Sequence, residues 1–263
     1  MTATNAASGG RFPAVIENDD AAGRIVLVCE HASNAFPATW GDLGLTAAQR
    51  QAHIAWDPGA LGLARGLAQR LGAVLVHAPV SRLIYDCNRA PDSLGAMPAR
   101  SEVFDIPGNA AITPADRAAR AEAVYLPFHA ALHALLMQRL ALGRAPVVIT
   151  IHSFTPIYHG KPRSLEFGVI HDADPQLAQA ILAAARAGSR LNAALNAPYS
   201  AADEVTHTLR LQATPYGLPN AMLEFRNDLI ATPQAEAAMA DIVAPLLAQA
   251  VSTLAPAPQA KAG

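Results

Sequence analysis

Val147-Val148-Ile149-Thr150-Ile151-His152-Ser153 decides the fold class: a run rich in β-branched residues, without polar alternation, that ends in a histidine. A strand that reads this way is buried on both faces, as in a parallel sheet covered by helices. Ligands of such sheets bind outside the carboxyl ends of the strands. Three more apolar runs end the same way. Ile25 to Cys29 leads into Glu30-His31-Ala32-Ser33-Asn34. Val74 to Val80 leads into Ser81-Arg82 and on to Asp86-Cys87-Asn88-Arg89. Ala221-Met222-Leu223 leads into Glu224-Phe225-Arg226-Asn227-Asp228. If these four runs share a sheet, two histidines, a glutamate and several arginines meet in one crevice. That set suits a metal-dependent hydrolase.

The intervening segments read as helices. A capping residue followed by proline occurs at Asp57-Pro58, Thr113-Pro114, Asp174-Pro175 and Thr232-Pro233. The cap oxygen accepts a backbone N–H, and proline at the first helical position gives up only an N–H that has no partner there. Helices are expected over about 58–71, 114–142, 175–187 and 233–253, with Gly72, Gly143 and Gly188 as stops, and a shorter one over 46–55. Strands are expected near 25–29, 73–78, 147–151, 166–170 and 221–225. The alternation predicts a single α/β domain over 11–254, a mainly parallel or mixed central sheet with helices on both faces. Residues 1–10 and 255–263 read as frayed tails. The stretch Ala90 to Ile112 lacks periodicity, and a loop of that length is often an active-site lid.

Composition narrows the function. The chain has 263 residues, 52% hydrophobic and 15% charged, with a net charge of -2. It is globular, and it has no basic footprint for nucleic acid. No apolar stretch reaches the roughly 20 residues of a membrane span, and no signal peptide is visible. Cys29 and Cys87 read as small buried residues, not a disulfide. Together these features point to the cytoplasm. There is no Gly-x-Ser-x-Gly, no Gly-x-Gly-x-x-Gly after a strand and no Walker loop.

Three features carry chemistry. His31 and His152 follow strands in the same way, which favours a metal site over two isolated histidines. Zinc bound by two histidines commonly takes a carboxylate as third ligand. Glu30, Asp57 and Glu224 are candidates, although Asp57 also reads as a helix cap. Arg82, Arg89 and Arg226, with Asn88, lie near strand ends and suit recognition of a small carboxylate, the alternative being salt bridges with Asp86, Asp92 and Asp228. Glu224 ends an apolar strand and suits a general base that takes a proton from metal-bound water. His129 and His133 sit four apart on a helix and read as packing residues.

The segments Cys29 to Asn34, Trp56-Asp57-Pro58-Gly59-Ala60, Ser81-Arg82 to Asn88-Arg89, Ile151-His152-Ser153-Phe154-Thr155-Pro156 and Gly217-Leu218-Pro219-Asn220 to Asp228 resemble the N-formylglutamate amidohydrolase family, closest to its less characterised branch. The resemblance implies a zinc-carboxypeptidase-like fold and hydrolysis of amides next to a free carboxylate, with N-formyl-L-glutamate as leading substrate. It implies one zinc ion with His31 and His152 as ligands, Asn88-Arg89 as the substrate-binding pair and Glu224 as general base. Arg82 would support the oxyanion, and Arg89 and Arg226 the substrate carboxylates. The pattern departs from the carboxypeptidase His-x-x-Glu, because Asn34 stands at the glutamate position. Asp57 is favoured over Glu30 as the missing ligand. The alternatives are another N-acyl amino acid or a peptide as substrate, or a carboxylate-binding protein without catalysis. No oligomeric state is implied.

Overall fold

The computed structural model describes residues 10–254, so the two expected tails lie outside the described residues apart from Gly10. One seven-stranded sheet organises the chain. Its strands are β1 (Val15–Glu17), β2 (Ile25–Cys29), β3 (Val74–His77), β4 (Val147–Phe154), β5 (Phe167–Ile170), β6 (Ala193–Leu195) and β7 (Asn220–Arg226), in the order β1-β3-β2-β4-β7-β5-β6. The middle four, β3, β2, β4 and β7, run parallel. β5 is antiparallel to β7, β6 is parallel to β5, and β1 lies antiparallel on the outer edge of β3. The sheet is therefore mixed, with the parallel part formed by the four runs that carry the reactive residues.

Strand alternation divides the core in two. Leu27, Leu75, Ile149 and Leu223 face one apolar cluster, and Val26, Val28, Val76 and Val148 face the other. The helices longer than one turn are α1 (Ala47–Gln51), α2 (Ala60–Leu71), α3 (Pro114–Arg120), α4 (Leu126–Ala141), α5 (Gln176–Gly188), α6 (His207–Gln212) and α7 (Pro233–Ser252). α2, α5 and α7 cover the first face; α4 and α6 lie over the second.

Three details differ from the sequence reading. The stretch expected as one helix over 114–142 is interrupted by a π turn at Ala121–Tyr125 between α3 and α4. Pro127 lies just beyond, and its missing N–H leaves the Ala123 carbonyl, which accepts from Phe12 N at 2.7 Å, without its helical partner. α7 is 20 residues long with mean hydropathy 1.2, enough by length and composition for a membrane span. That corrects the expectation that no such stretch exists. In the fold, however, α7 places Met239, Val243 and Leu247 in the core beside α2 and α5. Of the four Pro signals, Thr113 and Thr232 cap their helices, accepting from Asp116 N at 3.1 Å and Ala235 N at 3.2 Å. Asp57 does not cap, because α2 begins only at Ala60 after Gly59 turns the chain at φ 80°. A Cβ at Gly59 would stand 2.2 Å from the Ile230 carbonyl oxygen, so the turn needs glycine twice over.

Candidate active site

A cavity of about 400 Å³ opens beyond the carboxyl ends of the parallel strands. His31, Asp57, Arg82, Asp86, Asn88, Arg89, His152 and Glu224 all reach it. β4 and β7 pair so that His152 stands beside Glu224 in the register. β2 ends at Cys29, and the turn that follows lets both Glu30 and His31 face inward instead of alternating.

Three electron-pair donors converge at the centre. His31 Nδ1 lies 3.1 Å from His152 Nδ1 and 3.3 Å from Asp57 Oδ2, and His152 Nδ1 lies 3.0 Å from the same oxygen. His31 donates its Nε2–H to Asp86 Oδ1 at 2.7 Å, which leaves the lone pair on Nδ1. Such an arrangement is repulsive unless a proton or a metal ion stands within it. A proton on His152 is one solution: burial alone pulls its pKa down, but Glu30 and Asp57 outweigh that and hold it well above the usual value. Burial likewise raises the Asp57 pKa, and the two imidazoles overcome it and hold the carboxyl well below its usual range. A metal ion is the other solution. Tetrahedral bonds of about 2.0–2.1 Å set ligand atoms about 3.3–3.4 Å apart. The three donors, buried and already spaced at 3.0–3.3 Å, fit that ion with little movement.

Each imidazole is backed by a carboxylate on its far side. Asp86 holds His31 with one oxygen and Arg82 with the other, at 2.6 Å. Glu30 Oε2 approaches His152 Nε2 at 3.2 Å, without the alignment of a hydrogen bond. Glu30 is buried, and its oxygens have no hydrogen-bond partner among the described residues. Carboxylates in these positions set the tautomer and orientation of metal-binding imidazoles. The geometry thus separates the two candidates for third ligand: Asp57 stands with the two Nδ1 atoms, and Glu30 behind His152. Asn34 turns away, donating to Arg50 O and Gln51 Oε1.

Glu224, beside His152 in the register, is buried and reaches the same cavity, with Oε2 unpartnered among the described residues. Burial raises its pKa to about 7, partly offset by the nearby imidazole of His152. Gly168 on β5 makes room for it: a Cβ there would stand 3.2 Å from the Glu224 Cβ and 2.0 Å from the Ala197 carbonyl oxygen.

The arginines separate. Arg82 reaches Asp57 and Asp86 while keeping a face to the cavity. Arg89 lines the cavity over Gly95, and among the described residues it donates only to the Asn88 and Glu204 carbonyls. Asn88 reaches the cavity, but its amide is committed to the backbone, donating to Val205 O and accepting from Thr208 N. These bonds tie the arginine loop to α6. Arg226 does not come to the cavity. It pairs with Asp228 at 2.8 Å and donates to the carbonyls of Arg163 and Ser164. Glu166 and Asp228 surround it, which is the salt-bridge alternative.

Sequence reasoning weighed Asp86 only as an ion-pair partner; its place four residues after Arg82 was the available signal. The segment expected as a lid supplies Arg100, Ser101 and Glu102 to the mouth. Glu102, at the tip of a short hairpin, accepts from His159 N at 2.9 Å and pairs with His53 at 2.8 Å.

The family model of N-formylglutamate amidohydrolase matches residues 23–231, and the chain belongs to that family. No curated protein matches the sequence. The crystal structure of a gene product from Agrobacterium tumefaciens superimposes with a TM-score of 0.90 at 49% identity, over 94% of this chain and 97% of that one. N-formylglutamate amidohydrolase from Ralstonia eutropha JMP134 shares the fold at 20% identity, with a TM-score of 0.60 over 89% of this chain and 95% of that one.

Proposed function

We propose that the protein is a divalent-metal amidohydrolase that cleaves the acyl–nitrogen bond of small N-acyl amino acids, N-formyl compounds foremost. N-formyl-L-glutamate, which names the family, is the reference substrate, and zinc the ion best suited to two imidazoles and one carboxylate. The observation that carries this reading is the convergence of His31 Nδ1, His152 Nδ1 and Asp57 Oδ2 in the cavity that the buried Glu224 also lines.

His31, Asp57 and His152 would hold the ion, which when bound lowers the pKa of water toward about 7 and polarises a carbonyl. Glu224 takes the proton of the attacking water and delivers it to the departing amine nitrogen. Its pKa near 7 suits both halves of that task. Arg82 presents a guanidinium, fixed by Asp86, to the oxygen that gains charge. Arg89 holds the substrate carboxylate by a charge-assisted bond and so aligns the amide. For a formyl substrate the products are formate and the free amino acid.

The test is metal content of protein purified without chelator, together with formate release from a panel of N-formyl amino acids. About one zinc per chain with chelator-sensitive release is expected. No metal, and no release after zinc is added, overturns the reading.

A further inference from the structure

Resting on the amidohydrolase reading, we infer that the site takes an N-acyl amino acid with a single carboxylate and an uncharged, apolar or aromatic side chain, rather than a dicarboxylate such as N-formylglutamate. Five carboxylates line the cavity, Asp57, Asp86, Glu102, Asp203 and Glu224, against the guanidiniums of Arg82, Arg89 and Arg100. Only one of those guanidiniums is uncommitted. Arg82 is shared by Asp57 and Asp86, and Arg100 pairs with Asp105 at 2.9 Å. His53 is taken by Glu102. Arg89 has no carboxylate within 4.0 Å among the described residues, and its bonds go to two carbonyls.

The other nearby cations stand elsewhere. Arg226 is bound outside the cavity. Arg163 is capped by aromatic rings, its guanidinium 4.3 Å from the Tyr158 centroid and 5.3 Å from that of Tyr199, and it is those rings that face the cavity. One uncommitted guanidinium receives one carboxylate. A second carboxylate, as on a glutamate side chain, would lie among like charges and cations already neutralised, where an unpaired ion is costly. Beyond the charged groups and the histidines the wall is uncharged: Ile54, Leu83, Phe154, Val205, Met222 and the two tyrosines, interleaved with Ser101, Ser153 and Thr155. Such a wall accepts an uncharged side chain and gives a charged one no counter-ion.

The experiment compares N-formyl-L-leucine, N-formyl-L-phenylalanine, N-formyl-L-glutamate and N-formyl-L-leucinamide on the zinc-loaded full chain. At least tenfold higher kcat/KM is expected for the leucine or phenylalanine compound than for the glutamate compound. The leucinamide, lacking the carboxylate, should lose at least tenfold against the leucine compound. Arg89→Met should raise KM for that compound at least tenfold with a smaller effect on kcat. Equal or better turnover of N-formyl-L-glutamate overturns the inference and leaves the amidohydrolase reading standing. If none of the compounds is hydrolysed, that reading falls, and calorimetric binding of the same four decides the carboxylate question. Tighter binding of the two monocarboxylates, lost in Arg89→Met, sustains it; a preference for glutamate, or no binding, overturns it.

Discussion

On the proposed reading, Glu224, Asp86 and Glu30 divide the labour around the donor cluster, and each predicts a different loss. Glu224→Gln keeps the shape and the metal, and turnover should fall by about 10²–10⁴-fold, the usual contribution of a positioned general base. Zinc content and formate release on the same preparation check this. The base must be ionised to work, so kcat/KM falls as pH drops through its pKa. With burial holding that value at about 7, and a dication nearby only lowering it, the acid limb lies at or below pH 7. A pH–rate profile whose acid limb lies above 7 contradicts this role. Asp86→Asn and Glu30→Gln keep the volume but remove the charge behind each imidazole, and zinc affinity should fall about 10–100-fold in each. Chelator competition measures it. Much of this was legible in the residues: His31, His152 and Glu224 could be picked out because reactive types follow apolar runs, while Asp57 stood out only as a carboxylate before Pro58 that also read as a helix cap. Asp86 and Glu30 were obscured because a carboxylate beside an arginine or a histidine has several ordinary uses. Arg226 was misleading because Asp228, two residues away, takes its charge.

The elements that place these residues depend on local devices of unequal visibility. β1 and β6 escaped the sequence because a three-residue strand on a sheet edge is too short for its pattern to stand out. The four parallel strands were plain for the opposite reason: burial on both faces leaves no room for polar residues. The Asp57-Pro58 signal shows how a local rule yields to a site. Had Asp57 capped α2, its carboxylate would have been spent on backbone N–H groups. Gly59 moves the helix start on and frees the carboxylate to accept from Ser153 N at 3.2 Å and to face the imidazoles. Gly59→Ala adds both left-handed strain and a clash with the Ile230 carbonyl, so it should cost about 2–4 kcal/mol. Urea unfolding measures the loss, and zinc affinity should fall with it because Asp57 shifts.

The stability of the whole molecule should follow metal and pH in separable ways. An ion that binds only the folded chain stabilises it by about 2.7 kcal/mol at a hundredfold excess over Kd, so chelator should lower Tm and zinc restore it. Acid acts elsewhere, on His129, which is buried between α4 and α6. It lies 2.9 Å from Cys87 O through Nε2 and 3.2 Å from Gln212 Nε2 through Nδ1. Burial lowers its pKa to about 4 from the ordinary 6.5. The folded chain keeps it neutral, so its contribution is fully present above pH 6.5 and is lost as pH falls toward 4. One proton over that interval is worth about 3 kcal/mol. His129→Gln should flatten the acid slope of the urea midpoint by that amount, and an unchanged slope would place the titration in another group.

Asp57 and His152 lie 95 positions apart along the chain, and their side chains meet within hydrogen-bond distance. During synthesis at about 5–20 residues per second, a growing chain carries His31 and Asp57 for roughly 5–20 seconds before the third donor is made. Over that interval it holds only part of a chelate. On the proposed reading, a full three-donor chelate would exist only once β4 has docked beside β2, and metal uptake would then report on that docking.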